Sequence, residues 1–206
     1  MYERFLALPQ EKQRKLINAG YKVFGLNEYK KASTEEIARE AGISKGYLFY
    51  YFRNKKDLYL YLYERAVELS RRQVLDEGFA GITDFFDMMA YAARRKLEMV
   101  AESPYLLPFI VRAFYSQREE PSQELGRRVA AVLQQSYLDA FRHLDLTPFK
   151  PGIDPLYVMR MLQWMGDGWL HERQMQGGEL SLQEMTDAMD RMLHTMQTLC
   201  YKEDHL

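Results

Sequence analysis

The stretch S-T-E-E-I-A-R-E-A-G-I-S-K-G-Y-L-F-Y-Y-F, Ser33 to Phe52, decides the fold of this 206-residue chain. Ser33 followed three residues later by Glu36 is a capping box, so a helix starts at Thr34. Gly42 ends it after Ala41, because glycine enters the left-handed conformation most easily. Ser44 then caps a second helix. Two helices of about eight residues joined through A-G-I-S have the dimensions of a helix-turn-helix. Ala38 is small enough for the helices to cross closely, and Ile37, Ile43 and Leu48 point into their shared core.

The second helix carries the functional question, because five of the nine residues from Ser44 to Phe52 are aromatic. Turned at about 100° per residue, it puts Leu48 and Phe52 inward with Phe49 beside them, and Gly46, Tyr47, Tyr50 and Tyr51 on the opposite side. Burying those tyrosines would require a partner for each hydroxyl. In a DNA major groove, the hydroxyls can donate to phosphate oxygens and the rings can pack on sugars or thymine methyls. Lys45 adds charge, Gly46 lets backbone approach backbone, and the helix N-terminus favours phosphate. Lys55 and Lys56 stand where another phosphate could be held.

Working outward, the pattern stays helical, with no strand or hairpin signal. A helix from Gln10 to Phe24 carries Leu16, Ile17, Gly20, Val23 and Phe24 on one stripe. Asn54 caps a long helix through Asp57, Leu58, Leu62 and Ala66 towards Leu75. Beyond Gly78 and Gly81, helices are expected at 83–102, 105–117, 122–144, 154–176 and 182–201, separated by Pro- and Gly-containing breaks. Pro108 is expected to bend or reset the helix around it. The expectation is an all-α chain of about nine helices. Residues 1–75 form a three-helix DNA-binding domain with a linking fourth helix and its helix-turn-helix at 33–52, and 76–206 form a larger helical domain.

Composition is ordinary for a globular protein, at 47% hydrophobic and 28% charged residues. No apolar run approaches the roughly 20 residues of a membrane span, and the N-terminus does not read as a signal peptide. The single cysteine, Cys200, excludes an internal disulfide and suits a cytoplasmic protein. Charge is uneven. Residues 1–75 hold 15 Lys/Arg against 9 Asp/Glu, a net of +6, and the rest hold 13 against 20, a net of -7. A basic third on an acidic remainder fits one region meeting a polyanion.

The run from Ser33 through R-N-K-K-D-L, with the upstream K-L-I-N-A-G-Y-K-V-F-G, closely resembles the DNA-binding domain of TetR-type bacterial transcription regulators. The resemblance is specific over about 9–68. It implies DNA contacts from Ser33, Thr34, Ser44, Lys45, Gly46, Tyr47, Tyr50, Tyr51 and Lys55. Two positions depart from the family's habit: Tyr47 stands where a small residue such as Thr is common, and Phe49 where Tyr is frequent.

The resemblance also implies a homodimer through the last two helices and a pseudo-palindromic operator. Its recognition helices would lie about 34 Å apart. A small-molecule effector would shift the population away from the DNA-competent dimer, with the long helix after Asn54 linking the two parts. Candidates for an effector pocket are Phe85, Met88, Met89, Phe109, Phe114, Tyr137, Trp164 and Asp167, whose Met and aromatic content suits an apolar ligand. Asp167 between two tryptophans could favour a cation. Plain core packing remains the alternative for each apolar residue. The last helix has Leu182, Met185, Met189, Met192, Met196 and Leu199 at spacings of 3, 4, 3, 4 and 3, an a/d seam for a helix of the partner or of the same chain.

No phosphate loop, dinucleotide fingerprint, H-E-x-x-H or G-x-S-x-G occurs, so no enzyme is expected. No cofactor or metal is expected either; His171–Glu172 reads as an exposed helix pair, and Cys200 as a small buried apolar residue. The reading is a ligand-responsive regulator, most simply a repressor. The alternative is a constitutive DNA-binding or protein-docking module without an effector.

Overall fold

Local capping rules account for most helix starts in the computed structural model, which describes residues 2–115, 121, 141–176 and 181–205. The described residues form ten α-helices and a terminal 3-10 turn, joined by no strand beyond an isolated bridge between Phe149 and Tyr201. They are α1 (Glu3–Leu6), α2 (Gln10–Leu26), α3 (Thr34–Ala41), α4 (Lys45–Tyr51), α5 (Lys55–Val74), α6 (Glu77–Ala80), α7 (Phe85–Glu102), α8 (Leu106–Tyr115), α9 (Pro155–Met175) and α10 (Leu182–Cys200). The expected helix at 122–144 lies almost wholly outside the described residues. None of the described helices is long and apolar enough to cross a membrane.

The chain packs as two units, one of Met1–Arg71 with Glu102–Gln135, the other of Arg72–Ala101 with Ser136–Leu206. In the first, α2 packs on both α3 and α8. Phe109 of α8 is fully buried in an aromatic cluster, with ring centroids 5.1 Å from Tyr21 and 5.2 Å from Tyr59. Leu16, Ile17, Phe24, Ile37, Ala38, Leu48, Phe52, Leu58 and Leu62 complete this core. Gly25 gives α8 its close approach: a Cβ there would stand 3.0 Å from the Phe109 backbone nitrogen. Pro108 sits in the first turn of α8, where no intrahelical N–H is needed, so it resets the chain without breaking a helix.

Helix α1 has no sequence signal of its own. Phe5 anchors it, fully buried and 5.1 Å from the Phe52 ring, and the Tyr2 hydroxyl donates to Asp57 at 3.0 Å.

The second unit is built on Phe85, Phe86, Met88, Phe149, Val158, Met159, Leu162, Leu193, Met196, Cys200 and Tyr201. Its chain end is clasped: the Lys150 N–H donates to the Cys200 carbonyl at 2.8 Å, and Tyr201 donates to Asp84 at 2.9 Å. Ser181 and Glu184 make a full capping box at the start of α10. The methionine seam packs at home for much of its length, with Met196 buried and Met189 and Met192 against the unit's own core. Large apolar side chains are instead exposed on α9, at Leu156, Tyr157 and Trp164.

Candidate nucleic-acid interface

The helix-turn-helix is set by its caps. Ser33 accepts a hydrogen bond from the Glu36 N–H at 3.4 Å, and Ser44 accepts one from the Tyr47 N–H at 3.2 Å. Between them Gly42 takes φ 70°, and the Ile43 N–H reaches back to the Ala38 carbonyl at 2.9 Å. The capping box at Ser33 is only half made: its oxygen takes the Glu36 N–H, while its hydroxyl proton goes to Glu35 at 3.0 Å. Asn54 caps α5 by accepting from the Asp57 N–H at 2.8 Å.

These caps place the outer edge of α4. Leu48 and Phe52 are buried, Tyr47 and Tyr50 are 60% and 54% exposed, and Tyr51 is half-buried. The edge is pre-ordered by its own rings: Tyr47 stacks on Tyr51 at 6.5 Å, and Tyr50 meets Tyr51 edge-on at 5.4 Å. Held rings lose less freedom when they dock. Phe49 departs from the expected inward position. It is exposed beside the Lys45 ammonium, 5.9 Å from its ring centroid, because α4 is a single seven-residue helix whose inner face is filled by Leu48.

Gly46 has no internal reason to be glycine. Its φ is not left-handed, and an added Cβ would meet only Ser44 Oγ at 3.7 Å, an ordinary contact. The missing side chain therefore opens space outward, where Gly46 is exposed.

The polar candidates are engaged within the first unit. Lys45 is ion-paired with Glu35. That carboxyl is pulled down to about 2 by the Lys45 ammonium first, then by its own backbone N–H and the Ser33 hydroxyl. Thr34 is buried with its hydroxyl on Glu35 at 3.3 Å. Lys55 donates to the Ala32 and Lys30 carbonyls at 2.9 and 3.3 Å and lies 4.6 Å from the Tyr29 ring centroid, so it holds the loop that leads into Ser33. Arg4, which sequence reasoning missed, lies with its guanidinium 4.7 Å from the Tyr50 ring centroid. Only the docking of α1 through Phe5 brings it there, and no local pattern signals that.

The Glu35–Lys45 pair masks a cation on the exposed edge that begins α4. Glu35→Gln should raise DNA affinity about two- to fivefold, the scale of an exposed ion pair, and steepen the salt slope by up to about 1. The depressed carboxyl also contributes stability that is present above its ordinary value of 4.5 and lost as pH falls towards about 2, so the variant should lack that part of the acid limb. Unchanged affinity and salt slope would remove Lys45 from the contacts.

The effector candidates do not form one cluster. Phe85 and Met88 are buried in the second unit's core with Met89 packed against it, whereas Phe109 belongs to the first unit's core. Trp164 is exposed and Asp167 half-buried on α9. Tyr137 and the Phe114 side chain lie outside the described residues.

Capped helices crossing at a left-handed glycine, with an exposed edge of tyrosine, lysine and glycine, define a helix-turn-helix DNA-binding protein. Residues 16–62 match the bacterial regulatory proteins of the tetR family, and the chain carries that family's DNA-binding domain within a TetR-type fold. SmeT, the repressor of the Stenotrophomonas maltophilia multidrug efflux pump SmeDEF, is similar at a TM-score of 0.66 and 18% identity, over 98% of this chain and 95% of that one. FadR from Bacillus subtilis, a transcriptional regulator solved in complex with stearoyl-CoA, also gives a TM-score of 0.66, at 17% identity over 90% of this chain and 97% of its own. A TetR family transcriptional regulator from Chloroflexus aurantiacus gives 0.59 at 20% identity over 98% of both chains. No curated protein matches the chain in sequence.

Proposed function

We propose that the chain is a cytoplasmic, ligand-responsive transcriptional repressor that binds a pseudo-palindromic operator as a homodimer and is released by a small, largely apolar effector. The observation that carries the reading is the α4 edge, where Gly46, Tyr47 and Tyr50 are exposed on a capped helix. Dimerisation through α9 and α10 is supported by Tyr157, Trp164 and Gly168. They recur at seven and four residues on α9, all exposed, and no heavy atom lies within 4 Å of a Cβ built at Gly168. An effector is supported by the methionine-rich second unit, and by similarity to a regulator solved with stearoyl-CoA and to a repressor of a multidrug efflux pump.

Selection of bound DNA from a random library tests the reading. The expected site has two half-sites about 34 Å apart. Tyr47→Ala should alter base preference within each half-site, whereas a phosphate contact would weaken all sequences alike. A library with no enriched sequence would end the proposal. Operator affinity unchanged by every compound that shifts the melting temperature would favour a constitutive binder.

A further inference from the structure

Helix α1 is too short to hold itself, since four residues cannot repay helix nucleation. It is nevertheless fixed at three places. Phe5 is fully buried, with its ring centroid 5.1 Å from that of Phe52 and 6.1 Å from that of Tyr51. The Tyr2 hydroxyl donates to Asp57 Oδ1 at 3.0 Å, while Asp57 Oδ2 accepts the Arg53 N–H at 3.1 Å. At the other end, the Gln13 amide donates to the Leu6 and Leu8 carbonyls at 3.0 and 2.8 Å. The turn is thus bound to α2, to α4 and to the start of α5.

That anchoring decides where Arg4 goes. It precedes the buried Phe5 and is exposed, with its guanidinium 4.7 Å from the Tyr50 ring centroid. Tyr50 also meets Tyr51 edge-on at 5.4 Å, so two neighbours hold its ring. No hydrogen bond or ion pair joins Arg4, or the Tyr50 hydroxyl, to a described residue. Lys45 is paired with Glu35 and Lys55 is taken up by carbonyls, whereas Arg4 keeps its charge and its N–H fork open. A guanidinium can rest on a ring and still offer that fork to an anion.

We propose that Arg4 is a positioning residue for Tyr50 and shares its phosphate. The guanidinium holds the ring at the α4 edge, and its N–H fork closes on the duplex phosphodiester that the Tyr50 hydroxyl meets. The inference rests on the reading of that edge as DNA-facing, and it extends the surface to α1, outside the matched residues 16–62. The two donors complement each other: arginine supplies a charge-assisted bond and tyrosine an oriented hydroxyl. Holding both before contact reduces the rotamer freedom lost on docking.

The test is a double-mutant cycle on the full chain, with operator affinity measured at several salt concentrations and thermal melting alongside. Arg4→Met should melt within about 2 °C of the parent, because an exposed cation–π contact contributes little. It should bind operator about tenfold more weakly, the scale of one hydrogen bond to a charged group, with a salt slope smaller by about 1. Arg4→Lys should keep the slope but recover only part of the affinity, since an ammonium is a point charge without the fork. Combined with Tyr50→Ala, Arg4→Met should cost at least about threefold less than the two single losses multiplied. An unchanged salt slope in Arg4→Met, or losses that simply multiply, would overturn the proposal. Parent affinity in both Arg4 variants, with Tyr50→Ala still weakened, would sink this inference alone. Parent affinity in Tyr50→Ala would take the reading of the α4 edge down with it.

Discussion

Gly46→Ala should leave the protein at least as stable as the parent and lower its affinity for operator DNA at least tenfold. The two effects have opposite signs because they act on different sides of the helix. Within the protein, a methyl at position 46 meets only Ser44 Oγ at 3.7 Å, so nothing is displaced. Replacing a helical glycine also removes unfolded-state entropy, a gain of up to about 1 kcal/mol. On the outer side, the proposed docking would put the same methyl between the α4 backbone and the duplex. Loss of one close approach, with the tyrosines held off beside it, amounts to about 1.4 kcal/mol or more, a factor of ten. Thermal melting and a fluorescence-anisotropy titration on the selected operator measure both. Raised stability with unchanged affinity would show that the Gly46 edge is not at the interface.

Gly25→Ala should be the most destabilising single methyl addition in the first unit. An added Cβ would lie 3.0 Å from the Phe109 nitrogen, 3.2 Å from Pro108 Cβ and 3.3 Å from the Tyr105 carbonyl oxygen. Two of those three atoms are backbone and the third belongs to a proline ring, so none can swing aside. Overpacking of this kind costs about 1–3 kcal/mol, and the helix-propensity gain offsets only part of it. The Gly25 carbonyl also accepts the Arg112 Nε–H at 3.0 Å, a bond that parting the helices would stretch. The expected fall in melting temperature is about 3–6 °C for a chain of this size. Gly20→Ala is the comparison. Its Cβ would meet Leu62 Cδ1 at 2.5 Å, but that is the end of a flexible side chain, so the loss there should be smaller. A larger loss at Gly20 would contradict the backbone argument.

The parts of this fold that were legible in the sequence are those governed by residues close together in the chain. Ser33, Gly42, Ser44 and Asn54 each act within a few residues, and each cap stands where the pattern places it. Helix α1 was not legible, because four residues have no helical stability of their own and Phe5 gains its place from Phe52 and Tyr61, far along the chain. Periodicity shows that the α10 methionines pack on something but cannot name the partner. Three of the four, Met189, Met192 and Met196, meet their own unit. The effector candidates were drawn from four expected helices between 83 and 176, and periodicity could not show that α8 packs on α2, which makes Phe109 part of the first unit and Phe85 part of the second.

The grip of Lys55 on the Ala32 and Lys30 carbonyls has a mechanical consequence. Lys55 is the first residue of α5, a rod twenty residues long whose last turn lies in the other unit. The loop into α3 is thus tethered to the rod's near end. Within the first unit, the start of α5 and the loop into Ser33 therefore move as one piece, and loss of the Lys55 ammonium would part them.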